Sequence, residues 1–425
     1  MLKCRVRQKP NREGDKLLKS LWEIYIKVPF VVKITTGFIL GAIVGIVFGT
    51  NAGFFSPLGT LLLNLLSLVA LPVIFLTVVL AVNQMNVTQL GRIGGKLILY
   101  YTATTAAAVL IGLSLALWFA PGKNMTLPNV TVDKPIMPHF SDVLLQIVPK
   151  NIFAAFTTGD LMAILFVAVI IGMAISMMKF SPDKQMMDYG TVLDKMFTAL
   201  NIMFYKILSG VLLYAPIGIF AISATAFGSQ GLETFKALLT FTAVFYLGLL
   251  ILWIFVYTGF LKLSGTPIIN FFKQTKDAYT TAFFTSSSIA SLPIAIEAAK
   301  KAGISDKTAH FALPLGAVFN SDGGALRMGV SIVFAANITN LNLSVSDFFM
   351  IIVIGTLLSI GTAGVPAAGL ITLSAVLTMF GLPLEVVALI AGVDAIIGMG
   401  GTATNVVGDM VGAAVVDRTE RKKIA

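Results

Sequence analysis

The chain has 425 residues, of which 57% are hydrophobic and only 12% are charged, whereas a soluble globular domain carries about 25% charged residues. Its mean hydropathy of +0.91 excludes an ordinary soluble domain and indicates an integral membrane protein. The net charge of +10 lies mainly in tails and short loops, which is typical of membrane topology and of contact with anionic lipid, so we expect no nucleic-acid partner.

The N-terminal segment, residues 1–27, is basic and partly amphipathic. It lacks the apolar core and the small-residue cleavage site of a signal peptide. We interpret it as a cytoplasmic segment.

Six apolar segments follow, each long enough for the about 20 residues that a bilayer-spanning helix requires. Residues 28–263 are therefore predicted to form six transmembrane helices. The segments lie near 30–50, 57–82, 94–120, 152–177, 193–226 and 235–263.

Basic residues recur in every second loop between these segments. One such loop holds Arg92 and Lys96, the next holds Lys179 and Lys184, and the loop after the sixth segment holds three lysines. Because basic loops stay on the cytoplasmic side, we expect both the N-terminus and the tail 417–425 in the cytoplasm. The chain would then be a multi-pass protein of the plasma membrane.

Two later segments are interrupted by small and polar residues. A serine-rich turn occupies 282–293 ("AFFTSSSIASLP"), and a Gly/Pro turn occupies 357–373 ("LLSIGTAGVPAAGLITL"). Each turn lies between apolar arms that are too short to cross a bilayer comfortably, which predicts two re-entrant hairpins. Such broken segments often line a transporter's binding site. The alternative is a pair of kinked helices with glycine-rich packing faces.

The last long apolar segment, Leu384 to Val416, carries four polar residues on one predicted helical face. These are Asp394, Thr402, Asn405 and Asp409, at spacings that suit a period of 3.6 residues. A carboxylate at membrane depth is costly unless it is paired, solvated or bound to a cation, so this face is a functional candidate.

The motif "NSDGG" (320–324) lies in the middle of another apolar segment. Its two glycines lower the cost of leaving helical geometry. Freed carbonyls, Asn320 and Asp322 would supply oxygen ligands, and with Asn405 and Asp409 they suit a small monovalent cation such as sodium. The alternative is a buried hydrogen-bond network that locks the helices together.

At this point the chain resembles the glutamate/aspartate transporter family, the dicarboxylate/amino acid:cation symporters. The resemblance extends over nearly the whole chain. It rests on four motifs that follow one another with family-like spacing: "TSSSIASLP", "NSDGG", "SIGTAGVP" and "DAIIGMGGTATNVVGD".

The resemblance implies an all-α membrane protein with eight transmembrane helices and two opposed re-entrant hairpins. It also implies a homotrimer that works by an elevator motion. The first, second, fourth and fifth helices would form the scaffold. The third and sixth helices would move together with the hairpins and the last two helices, whose segment 264–416 would be the transport core.

The resemblance also implies sodium ions as the coupled cations, held at three sites. One site would use the Gly316 carbonyl, Asn320, Asn405 and Asp409. A second would use Tyr101, Thr104, Thr105, Asn320 and Asp322. A third would use the carbonyls of Val318, Ser359, Ile360 and Thr362. Without the resemblance, the hydroxyls near position 101 are weak evidence for a cation site, because threonine in membrane helices usually forms a hydrogen bond to its own backbone.

By the same resemblance, a substrate carboxylate would meet Ser288, at the first hairpin tip, and Asn405. The implied substrate region is larger and includes both hairpins and the last helix. Its members are Ser286, Ser287, Ser288, Arg327, Val365, Gly369, Asp394, Gly398, Gly401, Thr402 and Asn405.

The chain departs from the family pattern at the substrate selectors. Family members that transport acidic amino acids have arginine at the position of Gly401, aspartate at the position of Gly398 and threonine at the position of Gly324. They place methionine at Ser321, and some archaeal members place arginine at Ser286. An assignment of aspartate as the substrate therefore does not follow from the resemblance.

Arg327 is an unusual base in the membrane, and we expect it to supply part of the missing positive charge. Its planar fork matches a carboxylate. The alternatives are a structural ion pair with Asp394 and an extension toward a water-filled face.

These observations predict a sodium-coupled symporter for a small anionic solute, either a dicarboxylate or an acidic amino acid. A sodium-coupled symporter for a neutral or larger amino acid is the alternative, because three glycines enlarge the pocket. An anion channel is a more remote alternative. We expect no enzyme, since Cys4 lies in the tail and His310 at a helix start, so no nucleophile–base pair is recognisable.

Overall fold

The computed structural model describes Tyr25, Val28 and residues 30–83, 91–125, 148–158, 161–359 and 368–421. Every regular element in these ranges is a helix. This agrees with the composition, because a helix satisfies its backbone hydrogen bonds internally and an apolar helix is stable in lipid.

Helices occupy all six apolar segments of the first part of the chain. The bounds are α1 Phe30–Phe48, α2 Ser56–Asn83, α3 Gly91–Phe119, α4 Ile152–Thr158, α5 Leu161–Lys179, α6 Lys184–Gln230, α7 Leu232–Ile251 and α8 Thr258–Ser264. A 3₁₀ segment, Gly49–Phe55, connects α1 to α2, and a π-helical segment, Leu252–Tyr257, connects α7 to α8.

Two of the expected segments differ from the helices in their described bounds. In the expected segment 152–177 the structure describes α4 and α5, and residues 159–160 lie outside the described residues. The helix α6 begins nine residues before the expected 193, because the side chain of Asp183 caps it by accepting from the Gln185 amide at 2.9 Å.

Length and composition alone identify four helical runs in the described residues that could cross a membrane. They are Val32–Leu80, which includes most of α1 and α2, Ile93–Phe119, Lys184–Ser229 and Leu232–Ser264. A bent pair near the C-terminus would make a fifth. The chain is therefore rich in apolar helices, as expected for a membrane protein.

The second part of the chain contains shorter helices. Their bounds are α9 Ile268–Thr285, α10 Ser288–Lys301, α11 Asp306–Phe319, α12 Asp322–Ile338, α13 Val345–Ser359, α14 Ala368–Met379, α15 Glu385–Ala391 and α16 Asp394–Arg421. Almost every residue of α12 is buried, and it packs against α3, α7 and α16. The centre of the molecule is therefore the group of helices around α12.

The two predicted hairpins are described to different extents. The arms α9 and α10 pack along each other, and Ser286 makes the turn between them in the left-handed region, with φ of 48°. The arms α13 and α14 lie against different neighbours, α13 on α3 and α14 on α2, and both contact α12. The tip that would join them, residues 360–367, lies outside the described residues.

The expectation of one continuous helix from Leu384 to Val416 is wrong. The segment is broken into α15 and α16, which are bent by 78°. At the break, the amides of Gly392 and Val393 bond to carbonyls three residues earlier, and the ring of Phe38 lies where a Cβ on Gly392 would be. The break places Asp394 in the first turn of α16, where the helix dipole favours a negative charge.

Polar contacts tie α3, α11 and α16 together at one end. The carboxylate of Asp417 accepts from the hydroxyl of Thr308 at 2.9 Å and also from the hydroxyl of Ser305, at the start of α11. The ammonium of Lys96, on α3, lies 2.6 Å from the carboxylate of Glu420. These contacts fix the relative positions of three helices that supply the polar site.

Candidate cation and substrate site

The helical pair α11–α12 is interrupted at the predicted position. Asn320 (φ −109°, ψ 120°) and Ser321 (φ −139°, ψ 58°) leave the helical conformation. The Gly316 carbonyl keeps its helical partner, the Asn320 amide, at 2.8 Å, whereas the carbonyls that follow it in the last turn of α11 come to the end of the regular helix. Gly323 brings the break against α16, because a Cβ there would collide with the backbone of Gly401.

Asn320 and Asp409 form the first part of the site. The amide nitrogen Nδ2 of Asn320 donates to Asp409 Oδ1 at 2.9 Å and to the Asn405 carbonyl oxygen at 3.2 Å. The amide oxygen Oδ1 of Asn320 is buried and accepts no hydrogen bond within the described part of the chain. The side chain therefore has its donors engaged and one acceptor oxygen spare.

Gly316 and Tyr101 border the same place. A Cβ on Gly316 would meet the Asp409 carboxylate and the Tyr101 hydroxyl, so only glycine lets the α11 backbone come this close. The Tyr101 hydroxyl donates to the Ala312 carbonyl at 3.3 Å. The structure thus brings together all four residues expected at the first cation site, with Tyr101 beside them.

Asp322 forms the second part of the site and is fully buried. One carboxylate oxygen accepts from the hydroxyls of Thr104 at 3.2 Å and Thr105 at 2.8 Å, and the other accepts from Tyr257 at 2.8 Å. Each hydroxyl that points its hydrogen at the carboxylate keeps lone pairs that a cation could use.

Tyr257 was missed by the sequence analysis. It ends the π-helical segment between α7 and α8, and its hydroxyl also lies 3.2 Å from the Thr404 carbonyl. Isolated π-turns within helices are frequent at functional sites. The available signal was one hydroxyl in an apolar run, which hydropathy alone does not single out.

The electrostatics of this region favour a bound positive charge. We call Tyr101, Thr104, Thr105, Tyr257, Asn320, Asp322, Asn405 and Asp409 the cation cluster. The partners that the structure describes for Asp322 and Asp409 are neutral amides and hydroxyls. Burial of an ionised carboxylate without a counter-charge is costly, and a small cation among these oxygens would offset that cost.

The third predicted cation site is only partly within the described residues. Val318 is half-buried in the last turn of α11, and Ser359 ends α13. Ile360 and Thr362 lie outside the described residues, as does Val365 of the predicted substrate region.

The first hairpin tip makes mainly local contacts. Ser287 caps α10 by accepting from the Ala290 amide at 3.2 Å, and Ser288 is buried. Hydrogen bonds of the tip serines to Asn405 are absent among the described residues. Asn405 instead uses its Oδ1 to accept from the Gly323 amide at 2.8 Å, which holds the unwound segment to α16.

Arg327 makes the ion pair that the sequence analysis gave as an alternative. It is 7% exposed, and its Nη1 bonds to Oδ1 of Asp394. Its Nε and Nη2 are buried and donate no hydrogen bond within the described part of the chain. The guanidinium also touches α14, since a Cβ on Gly369 would collide with it.

The glycines that replace the family's substrate selectors leave space. A Cβ on Gly398 would have no heavy atom within 4 Å, and one on Gly401 would make ordinary contacts at 3.7 Å. Gly324 differs from these two, because a Cβ there would lie 2.5 Å from the Ser321 hydroxyl oxygen and would require that side chain to move. Thr402, the remaining predicted member on α16, is partly buried.

Comparison with known proteins identifies the family of this chain. The sequence model of the sodium:dicarboxylate symporter family matches residues 30–419. The chain belongs to this family. The resemblance found in the sequence is therefore confirmed, and because the family consists of symporters, so is the expectation of a transporter and not an enzyme.

Individual members are similar over most of their length. A proton/sodium-glutamate symport protein of Bacillus caldotenax is 30% identical over 415 residues, which cover 94% of each chain. C4-dicarboxylate transport protein 2 of Mesorhizobium japonicum is 31% identical over 410 residues, covering 94% of this chain and 89% of that protein. A C4-dicarboxylate transport protein of Deinococcus radiodurans is 31% identical over 401 residues, covering 92% and 88%.

Proposed function

We propose that this protein is a secondary active symporter that couples sodium influx to the uptake of a small anionic solute. The names of its relatives, which specify glutamate and C4-dicarboxylates, support an anionic substrate. The observation that carries the proposal is the cation cluster, in which two buried carboxylates have only neutral described partners.

The cation cluster supports sodium through its donor set. Its ligands are carboxylate, amide, carbonyl and hydroxyl oxygens, which suit a hard cation. Asn320 would serve both ions. Its Nδ2 donates to Asp409, and its Oδ1 accepts no hydrogen bond in the described residues, so this oxygen could bind a cation. One ion would lie near Asp409 and Gly316, and a second near Asp322 and the α3 hydroxyls.

Coupling to the substrate would pass through Asn405. Its side-chain oxygen holds the unwound segment at Gly323, and its carbonyl accepts from Asn320. An ion that orders Asn320 would therefore order Asn405, whose Nδ2 has only a long contact of 3.5 Å, to Ser321 Oγ. That nitrogen would be free to donate to a substrate carboxylate.

The moving parts follow the family pattern as part of the same proposal. The unit α9–α16 with α3, α7 and α8 would move as an elevator against α1, α2, α4, α5 and α6 in a homotrimer of the plasma membrane, with both termini cytoplasmic. The segment between α13 and α14 would be the extracellular gate, and a third sodium site would involve Val318 and that segment.

A symporter for a neutral or larger amino acid is the second candidate. It is favoured by the open space at Gly398 and by the room for a Cβ at Gly401. An anion channel is disfavoured, because a pore has no need of a buried cluster that would dehydrate a cation.

Uptake into proteoliposomes tests the proposal. Purified protein would be given dicarboxylates, acidic amino acids and neutral amino acids, each with an inward sodium gradient and with choline in its place. We expect accumulation of an anionic solute only with sodium. Accumulation that is equal in choline would contradict sodium coupling, and accumulation of neutral amino acids alone would favour the second candidate.

A further inference from the structure

We infer that Arg327 forms the carboxylate subsite of this transporter and that, with Asp394 as its positioning partner, it selects a dicarboxylate that lacks an amino group. The inference rests on the proposed function and specifies the substrate class. It is carried by the unfilled hydrogen bonds of Arg327 and by the open space at Gly398, one turn along α16 from Asp394.

The guanidinium of Arg327 has one edge engaged and one edge free. Its Nη1 is held by Asp394, whereas Nε and Nη2 are buried without a partner in the described residues. The Nε–Nη2 edge is one of the two that present parallel N–H groups, and such a pair matches the two oxygens of a carboxylate. Asp394 therefore orients the arginine and leaves its free edge for a ligand.

A buried guanidinium with unfilled donors is unusual in a packed helix bundle. Buried donors are nearly always hydrogen-bonded, and each exception calls for an explanation such as a missing ligand. Arg327 is 7% exposed and lies between α12, α14 and α16. A carboxylate arriving among these helices would fill both free donors at once.

The position of Arg327 relative to α14 connects the subsite to the second hairpin. The guanidinium occupies the space that a side chain at Gly369 would need. The arm α14 can therefore lie directly over the subsite, and any larger residue at Gly369 would displace the arginine.

The lack of an amine acceptor follows from charge and space. Asp394 is the acidic side chain that faces this subsite, and its Oδ1 is already engaged by Arg327. One turn farther along α16, Gly398 offers open space and no carboxylate. An ammonium group placed there would be dehydrated without a counter-charge, which is costly. A substrate that has two carboxylates and no amine avoids this cost.

Binding of matched ligands tests the inference. Succinate and L-aspartate differ by one amino group, and succinate and butyrate differ by one carboxylate. In saturating sodium, wild-type protein should bind succinate at least about tenfold more tightly than either of the others, a difference of about 1.4 kcal/mol. L-aspartate binding as tightly as succinate would overturn the amine-free substrate class.

Substitution of the arginine tests its role. Arg327→Ala should weaken succinate by at least about tenfold and bring it to the level of butyrate. Arg327→Lys keeps the charge but loses the paired N–H groups, so it should weaken succinate to an intermediate degree. Succinate affinity that is unchanged in both variants would overturn the subsite. If Arg327→Ala does not fold, Arg327→Lys decides the question in the same way.

Two further variants complete the experiment. Arg418→Ala removes an exposed arginine at the far end of α16 and should bind succinate as the wild type does. Gly401→Arg in the Arg327→Ala background returns a guanidinium from the facing helix, where a Cβ makes only ordinary contacts, and should recover part of the succinate affinity.

The failure of this inference is distinguishable from the failure of the proposed function. Sodium-dependent uptake that does not depend on Arg327 would overturn the subsite alone. Absence of sodium dependence for every solute in the panel would overturn the symporter itself.

Discussion

The cation cluster and the Arg327–Asp394 pair both use α12 and α16, and they are incomplete in opposite ways. The cluster also draws on α3, on the segment Leu252–Tyr257 and on the break between α11 and α12. In the cation cluster the unfilled group is an acceptor, the amide oxygen of Asn320. In the arginine pair the unfilled groups are donors, Nε and Nη2 of Arg327. A spare acceptor among acids suits a cation, and spare donors on a base suit an anion. The comparison teaches that neighbouring parts of one helix group present polar atoms of opposite kind, which suit the two co-transported charges.

Glycines serve the two regions differently. In the cation cluster, Gly316, Gly323 and Gly408 have no room for a side chain, because a Cβ would strike cluster atoms or the facing backbone. In the arginine region, Gly398 and Gly401 face open space or ordinary contacts. The first set lets polar atoms converge, and the second set leaves volume for a ligand.

The largest effect should come from the buried carboxylates. Asp409→Asn and Asp322→Ala each remove a negative charge that the cation would neutralise, and Asp322→Ala also removes the acceptor that the hydroxyls of Thr104, Thr105 and Tyr257 share. We expect sodium-driven uptake to fall by about 100-fold or more, since loss of one partner of a buried charge pair costs about 3–5 kcal/mol. Uptake as a function of sodium concentration measures this.

Asp188→Asn is the matched control for both variants. Asp188 is exposed on α6, so the substitution should leave the sodium dependence unchanged. Unchanged sodium dependence in Asp322→Ala and Asp409→Asn as well would remove these residues from the coupling sites.

A pair of glycine-to-alanine substitutions, one in each region, should differ in their effect on the thermal stability of the protein. Gly323→Ala forces a methyl group into the backbone of α16, and overpacking of this kind costs about 1–3 kcal/mol. Gly401→Ala adds the same methyl where contacts are ordinary. We expect a clearly lower thermal midpoint for Gly323→Ala than for Gly401→Ala in detergent. Equal midpoints would mean that the close approach at Gly323 is not required.

A smaller effect should follow from Tyr257→Phe. The substitution removes one of the three hydroxyls that bond to Asp322 and changes little volume. Hydrogen bonds inside membrane proteins average about 0.6 kcal/mol and reach about 1.7 kcal/mol, so sodium affinity should fall about threefold to twentyfold. Tyr189→Phe, at an exposed tyrosine on α6, is the control. A normal sodium affinity in Tyr257→Phe would place the tyrosine outside the cation cluster.

Hydropathy predicts most of the helices, because bilayer-spanning length and apolar composition are local properties of the chain. It fails at the break between α15 and α16, where Gly392 and Val393 are themselves apolar or small. That break depends on the ring of Phe38, more than 300 residues earlier in the sequence. A tertiary contact of this kind leaves no local pattern.

The polar site is also only partly readable from the sequence. The acids and amides of α12 and α16 stand out because polar groups are rare in apolar segments. Tyr257 does not stand out, because an aromatic residue with one hydroxyl fits an ordinary spanning helix. The ion pair of Arg327 with Asp394 is one of several alternatives in the sequence, and the approach of α12 to α16 decides among them.

The most direct test of separate cation and anion regions is to measure sodium and succinate binding on the same preparation of Arg327→Ala by calorimetry. If the two regions bind their ions separately, sodium binding without substrate should stay within about twofold of the wild type, while succinate binding in saturating sodium weakens by at least about tenfold. Equal losses of sodium and succinate affinity would contradict the account, because Arg327 would then support both regions structurally and would not be the anion's own partner.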